Sequence, residues 1–78
     1  MKDLIEITDK LGNKRKVELI TKFDLDGYDY NYIIYQEIDH SHVYCARYKG
    51  ENIVNLDTNL SEKEFNLAKR IYESVRNV

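Results

Sequence analysis

The last quarter of the chain constrains everything before it. Ser61 and Glu64 stand in Ser-x-x-Glu spacing, a capping box in which hydroxyl and carboxylate each satisfy an orphan N–H at a helix start. Beyond it, Phe65, Ala68, Ile71, Tyr72 and Val75 fall within a sector of about 120°, at 100° per residue. Glu62, Lys63, Asn66, Lys69, Arg70, Glu73 and Asn77 occupy the rest of the circumference. The spacing predicts a helix over about 61–77, with Arg76 complementing the dipole in its last turn. Such a stripe must lie on an apolar surface. In 78 residues the only other material is β-patterned, so the surface has to be a sheet.

The upstream pattern supplies that sheet. Leu4 to Thr8 alternates apolar and polar residues and reads as a first strand, with Ile5 and Ile7 on one side. Asp9-Lys10-Leu11-Gly12 has the residue preference of a type I turn, glycine being free to take positive φ. Lys14 to Phe23 reads as a second strand, with Val17, Leu19 and Phe23 on one face and Glu18, Ile20 and Lys22 on the other. Asp24-Leu25-Asp26-Gly27 repeats the turn chemistry, and two such turns between β-runs predict consecutive hairpins. Tyr28 to Glu37, rich in tyrosine and isoleucine, forms a third strand, and Asp39-His40-Ser41 punctuates. His42 to Tyr48 is a fourth strand, Lys49-Gly50-Glu51-Asn52 a turn, and Ile53 to Leu56 a short fifth. The expected architecture is a single α+β domain over residues 1–78. It is an antiparallel β-meander of four to five strands over about 4–56, with one C-terminal helix packed on one face.

Composition bounds the function classes. The chain is 42% apolar and 33% charged, the balance of a globular domain, and its net charge of −2 gives no general attraction to nucleic acid or anionic membrane. A core of this size supplies only ~3–5 kcal/mol, so a staple or partner would help. Cys45 is the only cysteine, which excludes an internal disulfide and suits a reducing compartment. The opening Met1-Lys2-Asp3-Leu4-Ile5-Glu6 lacks the apolar core of a signal peptide, and no apolar run reaches the ~20 residues of a membrane span. The expectation is a soluble, cytoplasmic protein.

Charge is unevenly spread. Lys10, Lys14, Arg15, Lys16 and Lys22 are opposed between residues 10 and 22 by Glu18 alone. From 23 to 46 come Asp24, Asp26, Asp29, Glu37 and Asp39, with no lysine or arginine. Neighbouring antiparallel strands of opposite sign attract across the ladder, which accounts for the pattern without invoking a ligand.

Each cluster with chemical potential has a plain structural counterpart. His40-x-His42-x-x-Cys45, with Asp39 as a fourth donor, contains zinc-ligand types. Strand alternation sends His42 and Cys45 to opposite sides, however, and so opposes both a metal site and a Cys–His nucleophile. Asp24-x-Asp26-Gly27 resembles a calcium loop, but aligning Gly27 places Lys22 and Ile33 at ligand positions. Lys10, Lys14, Arg15 and Lys16 form a candidate basic patch for phosphates, although alternation puts Lys14 and Lys16 on one face and Arg15 on the other. The reading is therefore of no catalytic residues, no metal and no cofactor, with nucleic acid as the alternative partner.

Tyrosine is the unusual feature. Six of the seven tyrosines lie between Tyr28 and Tyr48. Tyr30 and Tyr32 share a face with Ile34, and Tyr35 shares the other with Ile33, so the third strand is apolar on both sides while one helix covers one. The face left uncovered, bearing Tyr30, Tyr32, Tyr35, Tyr44 and Tyr48 in its candidate set, is the expected docking surface for a protein partner or a second copy.

The order of features also resembles a family. Asp9-x-x-Gly12 is followed by a strand ending Phe23-Asp24-Leu25-Asp26-Gly27, a Tyr-Ile-rich strand, Val43-Tyr44-x-Ala46-Arg47-Tyr48, and a capped terminal helix. Over about residues 4 to 76 this is similar to the YrzB-like domain family of small bacterial proteins. The resemblance implies the α+β fold and a bacterial cytoplasmic setting, and it supplies no catalytic residues. This chain departs from that family's strong acidity in its near-balanced charge and basic second strand.

Overall fold

The computed structural model describes residues 3–38 and 42–76. Four strands, β1 (Asp3–Thr8), β2 (Lys14–Asp24), β3 (Asn31–Glu37) and β4 (Val43–Tyr48), precede one helix, α1 (Glu62–Arg76). They form an antiparallel meander in the order β1-β2-β3-β4.

The turns follow their residues. Asp9 Oδ1 accepts hydrogen bonds from the backbone N–H of Leu11 and Asn13, both at 2.9 Å, and Gly12 closes the turn at φ 86°. Gly27 also has positive φ, at 85°, but there Tyr28 N–H donates to Leu25 O at 3.2 Å. The second turn is thus Leu25–Tyr28, with glycine third, one residue later than the Asp24–Gly27 expected. Tyr28 and Tyr30 consequently lie before β3 rather than in it.

A bulge in β2 decides which residues share a face. Leu19 pairs with Tyr35, but Thr21 pairs with Ile34, leaving Ile20 as the extra residue. Beyond it the facing inverts, and Phe23 leaves the side of Val17 and Leu19 to stack on Tyr32 at 5.3 Å between ring centroids. Strict alternation across this bulge misassigns Phe23.

The inner face of the sheet carries the main core: Ile7, Val17, Ile33, Tyr35, Ala46, Tyr48 and Leu56, with Ile5, Leu19, Tyr44 and Ile53 packed against it. The expected fifth strand is not a strand. Residues 53–57 form an irregular strap over the inner face, hydrogen-bonded to both sheet edges. Thr8 N–H donates to Ile53 O (3.1 Å) and Leu56 N–H to Thr8 O (3.2 Å), while Arg47 and Asp57 exchange two bonds of 2.9 Å. One segment joining β1 to β4 rolls the sheet towards a small barrel, filled by side chains.

Helix α1 covers the outer face over β3 and β4. Its buried residues are Glu64 and Ala68, with Leu67, Ile71 and Tyr72 half-buried. Phe65 and Val75, assigned to the buried stripe by periodicity, are 57% and 38% exposed.

Candidate functional site

The two-sided covering of β3 overturns the expected tyrosine docking face. Tyr32 is 0% exposed beneath the helix, Tyr35 is 2% exposed and Tyr48 7% exposed on the inner face under the strap. Tyr30 and Tyr44 are half-buried. A face freely presenting all five does not exist, because the chain shields one side with α1 and the other with residues 53–57. The outer face beyond the helix belongs to β1 and β2, and its Glu6, Lys14 and Lys16 are charged and exposed.

The basic patch is likewise divided. Lys10 Nζ lies 3.1 Å from Asp57 and Arg15 Nη1 2.8 Å from Glu37, so both charges have partners. Lys14 and Lys16 point outward, where Lys16 stands opposite Glu6. Of the metal-type cluster, Asp39 and His40 lie outside the described residues. His42 is exposed beside the Tyr44 ring, Cys45 is half-buried, and no group of three metal-type residues forms among the described residues.

The strongest polar constellation joins helix to sheet. The Glu64 carboxylate accepts the Tyr32 hydroxyl at 2.5 Å, two bonds from Arg47 Nη1 at 2.9 and 3.1 Å, and Ser61 N–H at 3.1 Å. Ser61 Oγ in turn accepts Glu64 N–H at 3.2 Å, completing the capping box. Arg47 also binds Asp57 and lies over the Tyr30 ring, 4.4 Å from its centroid. Burial pushes the Glu64 pKa up, but the bonds from Tyr32, Ser61 and Arg47 outweigh it and hold the carboxyl below its ordinary value. Burial and the Glu64 bond push the Tyr32 phenol in the opposite direction, well above its usual range. Every acceptor is used, and no buried side-chain N or O among the described residues lacks a partner. This network is an anchor. It presents neither a free base nor a free acid to a substrate.

An apolar groove of about 240 Å³ remains open between α1 and the outer edge of the sheet. Ile34, Val43 and Cys45 line it from the sheet, and Phe65, Ala68 and Tyr72 from the helix, with Lys69 at the rim. It is smaller than the ~300–1,000 Å³ of drug-sized ligand sites and suits one or two apolar side chains. Burial, with a smaller push from Glu64, raises the Cys45 thiol to about 11, so the sulfur is a neutral apolar wall at physiological pH.

Beside the groove runs an open backbone edge. Arg47 turns its N–H and C=O away from β3 towards Asp57. Two-residue periodicity turns those of Val43 and Cys45 the same way. Neither meets a backbone partner on that side among the described residues. The opposite edge strand, β1, carries the charged Asp3 and Glu6, whereas Val43-Tyr44-Cys45 carries no charge. Sequence reasoning missed this groove because it placed Phe65 in the core. The clue was Glu64, whose capping role also makes it a candidate for burial against Arg47.

Among known proteins, no family model, no curated protein and no solved structure matches this chain. Among the described residues, no helix is long and apolar enough to cross a membrane.

Proposed function

We propose that this chain is a non-enzymatic protein-binding module that engages a polypeptide along the open edge of β4 and the adjoining groove. The observation that carries the reading is the juxtaposition of unpaired main chain at Val43 and Cys45 with an apolar groove whose wall, Phe65, is 57% exposed. Added strands bind sheet edges through main-chain hydrogen bonds and send alternate side chains into neighbouring pockets. The docking surface thus shifts from the tyrosine-bearing face to the edge beside the helix. The lone Cys45 supports a reducing, cytoplasmic setting, and the order of turns and strands supports the proposed likeness to the bacterial YrzB-like domains. The nucleic-acid reading is weaker, since Lys10 and Arg15 are ion-paired and Lys14 and Lys16 face the other way.

The test compares wild type with Phe65→Asp on the exposed helix surface. Immobilised wild-type chain is expected to retain a specific protein from host extract, or to self-associate, and Phe65→Asp to lose the interaction while keeping its far-UV circular dichroism. Retention that survives Phe65→Asp but not nuclease treatment would overturn the reading. So would a monomer that retains nothing.

A further inference from the structure

We infer that the segment completing the β4 edge is the same segment of a second copy, paired antiparallel about a two-fold axis through Tyr44. This rests on the proposed use of the β4 edge and names its occupant.

The backbone selects an extended strand and fixes its register. The open edge offers the N–H and C=O of Val43 and Cys45, and it ends at Arg47, whose outward groups are taken by Asp57. An axis through Tyr44 sets Val43 opposite Cys45 of the second copy. Each such pair exchanges two hydrogen bonds, so the symmetric contact makes four and uses every open edge group among the described residues of β4. An axis through Cys45 instead sets Val43 against Arg47 of the second copy, where no free main chain remains. A continuous sheet also explains why this edge lacks the charges with which sheets discourage pairing.

The helix surface is complementary to itself under the same axis. Glu64, near the start of α1, holds Arg47 near the end of β4, and Tyr72 lines the groove with Val43 at the strand's start. The helix therefore runs opposite to β4. The two-fold axis lays both helices antiparallel on the same side of the joined sheet, each with an outer ridge of Glu62, Phe65, Lys69, Tyr72 and Arg76. Antiparallel ridges bring acidic Glu62 towards basic Arg76 of the second copy, twice over. Phe65 and Tyr72 from both copies then roof the paired grooves. Lys69 meets its own symmetry mate near the axis, an unfavourable pair that its long stem lets diverge into solvent.

Three measurements separate this arrangement from others. Light scattering at high micromolar concentration is expected to give a dimer. Glu62→Arg should weaken the dimer about tenfold, and adding Arg76→Glu should restore it, because both substitutions lie on the exposed helix ridge. In a Cys45→Ser background, Tyr44→Cys places two thiols on the axis at a non-hydrogen-bonded pair, with Cα atoms about 4.5 Å apart. That is within disulfide reach, and mild oxidation is expected to yield a covalent dimer. Wild-type Cys45, at a diagonal position roughly 7–8 Å from its mate, should not cross-link. Because Tyr44 stacks on Tyr35 at 5.5 Å, the charge-swap pair decides between the arrangements if Tyr44→Cys perturbs the fold. A monomer under these conditions overturns the inference. So does a dimer indifferent to Glu62→Arg and not trapped by Tyr44→Cys. A monomer that still captures a host protein through Phe65 overturns the second copy as occupant while leaving the binding module intact.

Discussion

Glu64 closes the capping box at the start of α1 and, with 2% of its surface exposed, also ties the helix to β3 and β4. A carboxylate taken out of water remains ionised only if its lone pairs are met, and here Tyr32, Arg47 and Ser61 meet them. Truncation to alanine should strand the Arg47 guanidinium with Asp57 as its remaining carboxylate. We expect Glu64→Ala to lower the unfolding free energy by roughly 3 kcal/mol, and Glu64→Gln, which keeps an acceptor, to cost less; urea denaturation measures both. The folded pKa of Glu64 lies below its usual 4.5. The ionised network therefore stabilises the fold fully above that value, and the contribution fades as pH falls below it. Melting temperature should drop more steeply for wild type than for Glu64→Gln on acidification below 4.5. Equal slopes would show that the ionised pair contributes nothing to acid stability. At Cys45 the raised pKa of about 11 leaves little thiolate near neutrality. Alkylation by a maleimide should accordingly be slow in the native chain and fast in urea.

At the scale of elements, turns and the bulge act as switches of facing. Gly12 and Gly27 hold positive φ, and a Cβ on either would meet nothing within 4 Å. Any penalty on substitution is therefore backbone strain. Gly12→Ala and Gly27→Ala should each cost about 1–2 kcal/mol without altering the fold, which urea midpoints would show; larger losses would point to contacts absent here. The bulge at Ile20 has the wider consequence, since it keeps Val17 and Leu19 on the inner face of β2 but puts Phe23 on the outer, against Tyr32. A strict period of two contains no signal for such an insertion. Helix α1 shows a related limit: its hydrophobic sector was readable, but the face it buries carries Glu64, bonded to Arg47 and Tyr32, while Phe65 lies 57% exposed.

For the molecule as a whole, closure matters more than the helix alone. The strap at 53–57 is the segment that bonds both edge strands, and its own Leu56 is 4% exposed, packed into the inner-face core. Leu56→Ala should cost about 2–5 kcal/mol. It should also raise amide hydrogen exchange together at Thr8, Arg47 and Leu56, whose N–H groups make the closing bonds. Independent exchange at these three would show that the strap does not act as a unit. With both faces of β3 covered and Arg47 sealed by Asp57, the short uncharged stretch at Val43–Cys45 is where main chain and apolar groove lie side by side without a cover among the described residues.

The order of four strands and a capped helix was legible in the residues, because turn glycines, capping boxes and alternation are local consequences of φ/ψ sterics and of orphan hydrogen-bonding groups. The ion pair between basic β2 and β3, at Arg15 and Glu37, was legible as charge pattern before it was visible as contact. What tertiary structure decided was covering. Whether a tyrosine is buried depends on segments distant in sequence arriving above it. Residues 53–57 do this as an irregular segment, held in place by long-range hydrogen bonds to β1 and β4. Local periodicity fixes which side a residue points to, but only the packed chain determines what it finds there.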